Sequence, residues 1–365
     1  MNKTHIGFIF GGRSSEHDVS CISAPNVIDQ VNKEKYEIHI FGITKDGRWL
    51  AVENTEDIRS GEWIRKGSPA LLSPDSIVHG FMVQDADKHW NDVKVDVIFP
   101  VMHGIWGEDG TLQGLIEMAA IPFVGCGVLA SAVTMDKVFT KIIVDTLDVR
   151  QAEYVLVMKK DLNDIEAACK RCEDKISYPM FVKPSRAGSS KGVNKAENRA
   201  ELKYALTEAV KHDTKVLVEE TIVGHEIECA VMSTPEGTIA SGVGEILSAG
   251  SFYDFDSKYN NSESRTVTDP VLPEGSAQKV RENAVQIFDA VDGFGLSRVD
   301  FFVTEEGEVV FNEINTLPGF TSISMYPMLW EAAGVSIDEL IERLIQTAYM
   351  REDSYTVYLK DGEKL

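Results

Sequence analysis

LSRVDFFVTEEGEVVFNEINTLPGF, residues 296–320, is the stretch from which the rest of the chain can be read. Two runs rich in β-branched and aromatic residues flank Glu-Glu-Gly-Glu, the composition and spacing of two antiparallel strands joined by a tight turn. A turn centred on Glu306 and Gly307 sets Asp300 opposite Glu313 and Arg298 opposite Asn315. Side chains alternate with period two along a strand, so all four share one face. Two carboxylates directly opposite each other repel, and one is driven to protonate unless a cation sits between them. Asp, Glu and Asn offer only hard oxygen ligands, which favours Mg²⁺ over zinc or iron and suggests phosphate chemistry. The plainer alternative is a solvated hairpin with surface acids, which is how Glu305, Glu306 and Glu308 in the turn read.

The chain has 365 residues, 43% hydrophobic and 26% charged, enough for about two or three domains with their own cores. A net charge of −22 argues against a nucleic-acid or anionic-membrane partner and for a freely soluble protein. It leaves ATP open, because a few local lysines decide nucleotide binding. No run approaches the roughly 18 apolar residues of a membrane span. The opening MNKTHIGFIFGG runs straight into a strand and turn rather than a signal peptide, so a cytoplasmic protein is expected. The cysteines at 21, 126, 169, 172 and 229 form no even framework and fit a reducing compartment. Cys169 and Cys172 have CxxC spacing on an amphipathic helix with no second pair, and read as helix residues rather than a zinc or redox site.

From the amino end, residues 5–10 make a short apolar strand. GGRSSEHDVS then turns it into a helix, with Ser15 and Asp18 at capping-box spacing and Pro25 placed to kink it. Such a turn lies at the carboxyl edge of a parallel sheet, where ligands bind, and Glu16 there can hold a substrate ammonium; Ser20 is a second polar candidate. A strand follows at 36–43, and a polar, weakly periodic segment to about residue 91 reads as decoration. Residues 93–101 form a continuous apolar strand running into MHGIWGEDGTLQGLIEM, which puts His103 at a strand end beside glycines. With a further strand at 121–124, the first ~130 residues alternate as an open α/β domain does.

A helix holding Met135, Asp136 and Lys137 leads to a second region near residue 149, with a strand at 154–157 and an amphipathic helix at 165–172. YPMFVKPSRAGSSKGV sets Lys183 at the end of an apolar strand, before a loop containing Gly188, Ser189, Ser190 and Gly192. Small residues let backbone N–H groups converge on phosphate while the lysine supplies charge. Residues 215–220 and 226–232 read as strands, with Glu219, Glu220 and Glu226 at their ends, where adenine and ribose hydrogen bonding and plain solvation are equally open. GSFYDFDSKYNN, 250–261, has the mixed aromatic and charged composition of a lid, with Lys258 towards phosphate and Tyr259 towards the reacting groups. A helix at 274–291 precedes the hairpin. Residues 321–326 and a helix at 337–348 follow it, and the last dozen residues read as a tail.

Taken in series, GGRSSEHDVS, HGIWGEDGTLQG, MDK, VKPSRAGSSKG, FYDFDSKY, RVDFF and FNEINTLPGFTS resemble the D-alanine-D-alanine ligase family of the ATP-grasp superfamily, over about residues 4 to 350. The resemblance implies an α/β fold, α+β in parts: an ATP-grasp fold preceded by an open α/β domain. The expected divisions are 1–130 for substrate, 131–222 and 223–350 gripping ATP, and a tail at 351–365. It implies that a first D-alanine carboxylate attacks the γ-phosphate of ATP, and that the amine of a second D-alanine displaces phosphate from the acyl phosphate. Carried over by motif, Asp300, Glu313 and Asn315 look like ligands of two Mg²⁺ (or Mn²⁺) ions. Lys137, Lys183 and Ser190 would hold ATP phosphates, with Glu219, Glu220 and Glu226 towards adenine and ribose. Arg298 and the Gly319 N–H would stabilise the oxyanion. Glu16 would bind the first ammonium in a network with Ser189 and Tyr259. Lys258 and His103 would complete that set, and Ser324 and Met325 would contact the second substrate. The expected partners are small molecules and a second copy of the chain.

Departures from the pattern bear on specificity. Relatives that make D-lactate depsipeptides carry a histidine near the position of Tyr259, so tyrosine favours an amine nucleophile. Vancomycin-resistance ligases, including those using D-serine, carry arginine where this chain has Met325, which leans towards D-alanine. Lys191 within the Gly/Ser loop is unusual. The alternatives are a D-alanine-D-serine ligase, another ATP-grasp ligase, against which Glu16 and FYDFDSKY speak, and a non-catalytic ATP-binding regulator, which would tolerate loss of Arg298, Asp300 or Lys258. A nicotinamide dehydrogenase would need a glycine fingerprint that the first strand-turn lacks.

Overall fold

The computed structural model describes residues 3–188, 191–247 and 265–351. In chain order the elements are β1 (Thr4–Gly11), α1 (His17–Ile28), β2 (Tyr36–Ile43), β3 (Trp49–Val52), α2 (Thr55–Ser60), α3 (Trp63–Lys66), β4 (Ser68–Leu72), β5 (Gly80–Gln84), β6 (Trp90–Lys94), β7 (Val97–Met102) and α4 (Thr111–Met118). There follow α5 (Val128–Met135), α6 (Lys137–Val144), β8 (Tyr154–Met158), α7 (Ile165–Glu173), β9 (Met180–Pro184), β10 (Asn194–Ala196), α8 (Arg199–Ala209) and β11 (Lys215–Glu220). The remainder is β12 (His225–Thr234), β13 (Gly237–Leu247), β14 (Arg265–Val267), α9 (Ser276–Ala290), β15 (Leu296–Val303), β16 (Val309–Asn315), α10 (Met325–Ala332) and α11 (Ile337–Ala348).

Three sheets organise these elements. The first has strand order β6-β5-β4-β3-β2-β1-β7, with β1 parallel to both β2 and β7 and the other pairs antiparallel. Only Val95 and Asp96 separate β6 from β7, so the sheet must curl until its two edges approach. Phe81 of β5 stacks on Phe41 of β2 at 3.5 Å between centroids, inside that curl. The second sheet, β10-β9-β11-β8, and the third, β14-β13-β12-β15-β16, are antiparallel throughout.

Several expectations are corrected. The segment to residue 91 is not decoration: it supplies β3 to β6, strands of only four or five residues, of which the edge strand β6 faces water along nearly its whole length. The strand expected at 93–101 is two, because Asp96 breaks it by accepting the His5 N–H at 2.7 Å. Residues 121–124 make only a single bridge, Phe123 to Ile98. The helix expected through Met135 and Lys137 breaks at Asp136, whose backbone is extended and whose carboxylate accepts from the Ser185 hydroxyl at 2.6 Å and pairs with Lys215. Ser15 does not cap α1; Glu16 holds the cap position, without a side-chain cap bond. Ser20 is structural: its hydroxyl accepts the Gly11 N–H at 2.7 Å and donates to the Val101 carbonyl, fastening α1 to β1 and β7. Helix α10 lies where no helix was expected. Cys169 and Cys172 are buried on α7 as read, and burial pushes the Cys172 thiol up to about 12.

Candidate active site

The hairpin forms as expected at its functional end, but by a different route. Arg298 pairs with Asn315 and Asp300 with Glu313, yet towards the turn the register shifts, so that Phe301 faces Phe311 and Val303 faces Val309. The turn is therefore centred on Glu306, and a β-bulge at Asn312 restores the pairing of the acids. The neighbouring strand adds a residue that the hairpin alone could not reveal: Glu228 of β12 stands opposite Asp300. Paired residues face the same side, so Glu228, Asp300 and Glu313 form a row of three carboxylates across three strands.

Protein cations offset part of that charge. The buried Arg298 guanidinium donates to Asp300 at 2.8 and 2.6 Å and pairs with Glu228 at 3.1 Å. Burial alone would lower its affinity for a proton, but Asp300 and Glu228 more than offset this and hold it well above the ordinary arginine value. Lys137, the first residue of α6, reaches Glu313 at 3.1 Å and the Ala187 carbonyl at 3.2 Å. Burial opposes its charge too, and Glu313 outweighs burial to keep its pKa raised. Among the described residues Arg298 and Lys137 pair with this row of three carboxylates, and every ligand atom the acids offer, with the Asn315 amide oxygen beside them, is an oxygen. That set fits a hard divalent cation.

A cavity of about 450 Å³ opens between the second and third sheets, lined by Phe181, Lys183, Thr221, Glu226, Phe302 and Asn312 among others. This is within the range of small-molecule and cofactor sites. Lys183 on β9 pairs with Glu219 at 2.6 Å and donates to the bulged Asn312 at 3.4 Å. Lys141 of α6 takes the other Glu219 oxygen at 2.8 Å. Burial pushes the Glu219 carboxyl up, but the two lysines overcome it and hold it at about 2. Both Glu219 oxygens are thus engaged in anchoring lysines. The Glu220 carboxylate accepts from Arg150 at 2.6 Å and from the Glu153 N–H at 2.8 Å.

A smaller cavity of about 220 Å³ lies on the other side of the acid row, lined by Glu16, His103, Glu108, Gly188, Asn315, Gly319, Ser324 and Met325 among others. Glu16 is wedged between two glycines of distant loops. A Cβ on Gly104 would fall 2.5 Å from its Oε2, and one on Gly188 3.2 Å. Gly104 is also left-handed, at φ 72°. His103 is buried, with Nδ1 3.6 Å from Glu108 and Nε2 3.4 Å from the Ser23 hydroxyl. Burial raises the Glu108 carboxyl; His103 counters this while the charge of Glu16 adds to it. The Ser324 hydroxyl accepts the Thr321 N–H at 2.9 Å, folding the turn that presents Gly319.

Lys137, Glu228, Arg298 and Glu313 line both cavities, so the two meet across the acid row. Sequence reasoning had not singled out Glu228, Glu108, Lys141 or Asn312. The HGIWGEDG motif carried Glu108 in view; Glu228 is placed by long-range register, Asn312 by a bulge, and Lys141 by the ion pair that α6 makes with β11. Ser189, Ser190, Lys258 and Tyr259 lie outside the described residues.

Comparison with known proteins agrees with this architecture. Residues 5–126 match the family model for the D-ala D-ala ligase N-terminus, and residues 143–346 the model for the D-ala D-ala ligase C-terminus. A D-alanine–D-alanine ligase of Acetivibrio thermocellus is 47% identical, over 96% of this chain and 97% of its own. One from Ruminiclostridium cellulolyticum is also 47% identical, over 98% and 99%. Among solved structures, VanG D-Ala:D-Ser ligase from Enterococcus faecalis is similar at TM-score 0.87 and 38% identity, covering 95% of this chain and all of its own. The D-alanine-D-alanine ligase from Coxiella burnetii is similar at TM-score 0.85 and 31% identity, over 100% and 99%. With both halves matched in order along one chain, the protein belongs to the D-alanine–D-alanine ligase family.

Proposed function

We propose that this enzyme joins two D-alanines into D-alanyl-D-alanine at the expense of ATP, releasing ADP and phosphate, as a step of peptidoglycan precursor synthesis in the cytoplasm. The observation that carries the reading is the meeting of a nucleotide-sized cavity and an amino-acid-sized one across Lys137, Arg298 and Glu313. Lys183 and Lys137 hold the ATP phosphates at that junction, and Glu226 faces the cavity that takes adenine and ribose. Glu16 takes the ammonium of the first D-alanine and turns its carboxylate towards the junction. A carboxylate oxygen attacks the γ-phosphorus, ADP leaves, and an acyl phosphate results. The second D-alanine, seated against Ser324 and Met325, attacks the acyl carbon with its free amine. Arg298 and the Gly319 N–H stabilise the negative oxygen of the tetrahedral adduct. Phosphate departs with the original carboxylate oxygen, and the amine loses its proton.

Asp300, Glu313 and Asn315 would hold Mg²⁺ or Mn²⁺, which would neutralise charge developing on the transferring phosphoryl group. The proposed divisions are 1–130 for substrate and 131–222 with 223–350 for ATP; by the family resemblance Ser190 would serve ATP phosphate and Ser189, Lys258 and Tyr259 would act with Glu16, and the active species is a homodimer. The test supplies ATP, Mg²⁺ and D-alanine alone, then with D-serine or D-lactate, and follows phosphate release and product mass. A dipeptide of two D-alanines is expected throughout; accumulation of only the mixed D-serine product contradicts the specificity.

A further inference from the structure

Two histidines that take no part in the ligase machinery meet at the amino ends of β1 and β2, the ends of those strands remote from α1 and Glu16. The parallel register sets His5 opposite Glu37 and Gly7 opposite His39, so all three side chains leave the same face of the sheet. His5 Nδ1 and His39 Nε2 are 2.9 Å apart. Their rings are nearly parallel, 9° apart with centroids at 5.2 Å. At that N···N distance the rings meet edge to edge, two nitrogens facing one another through a single proton. Glu37 Oε2 lies 3.9 Å from the other nitrogen of His5. One ligand atom from each of the three residues falls within 4.8 Å of the others. The backbone of His5 is fixed by the Asp96 carboxylate, while its side chain and that of Glu37 are 39% and 55% exposed, open to an ion from solvent.

We propose that His5, Glu37 and His39 form a zinc-class divalent metal site that clamps the start of β1 to β2. Two imidazoles and one carboxylate are a ligand set zinc accepts with water in the fourth position, at bond lengths of about 2.0–2.2 Å. The chemistry differs from that of the oxygen-only acid row, where a hard ion belongs. Binding requires the shared proton to move to an outer ring nitrogen, the two rings to turn so that their facing lone pairs converge on one ion, the N···N contact to open, and Glu37 to swing inwards from the far nitrogen of His5.

The test dialyses the full chain against graded zinc in excess Mg²⁺, with His5→Gln and His39→Gln alongside. Wild type is expected to bind one zinc that each variant binds at least about tenfold more weakly. The cobalt-loaded wild type should show a low-coordinate visible spectrum with no thiolate charge-transfer band. Unchanged D-alanine turnover with Mg²⁺ alone would confirm that both variants fold. Equal zinc binding in wild type and both variants, or a thiolate band placing the metal on cysteine, would overturn the site.

Discussion

Glu219 shows how single residues here hold others in place. Buried between Lys141 and Lys183, it keeps the Lys183 ammonium at the wall of the larger cavity and partners the buried Lys141. Glu219→Gln leaves Lys141 buried without its charge partner, and should cost about 3–5 kcal/mol in urea unfolding. The pH dependence follows from the depressed pKa, about 2 in the folded chain against an ordinary 4.5. The contribution is full above the ordinary value and fades as pH falls from there towards about 2. The stability gap between wild type and Glu219→Gln should therefore narrow across that window; a gap that stays constant contradicts the pairing. Glu313 acts on the chemistry instead. Glu313→Gln should leave the circular dichroism spectrum intact while lowering turnover by at least about 10²–10³-fold. Near-normal turnover would remove the acid row from the mechanism.

Among elements, the turn after β7 matters most, because it brings Gly104 against the carboxylate of Glu16. Gly104→Ala adds a methyl carbon about 2.5 Å from Oε2 at a left-handed backbone position. Displacing Glu16 should lower kcat/KM for D-alanine by roughly 10–100-fold. Steady-state kinetics unchanged by this substitution would show that Glu16 does not need its present seat. The same scale shows what sequence can and cannot reveal. The cross-strand pairing of Asp300 with Glu313 was legible from alternation, but the assumed turn centre lay half a residue too far along and the bulge at Asn312 compensated. A bulge leaves no period in the sequence. Strand β6 was missed because its side chains face water, and α10 because no capping bond or polar face marks its start at Met325. Glu228 was missed because its meaning depends on which strand lies beside β15.

At the scale of the molecule, the end of the chain completes the beginning. Leu340, Ile341, Leu344 and Ile345 of α11 share one buried cluster with Ile6, Phe8 and Phe10 of β1. Helices α5 and α6 join the third sheet in the same way, through Ala130 and Val144. Interleaving of this kind holds the amino-terminal turns carrying Glu16 and His103 against the acid row of the third sheet, so that two cavities share one wall. Passage of the phosphoryl group from nucleotide to substrate carboxylate across that wall is the central claim. Its most direct test feeds D-alanine labelled with ¹⁸O in the carboxylate, with ATP and Mg²⁺, and measures the mass of the released phosphate. One ¹⁸O per phosphate is predicted, since the oxygen that attacks phosphorus must leave with it; unlabelled phosphate accompanying dipeptide formation would contradict the account.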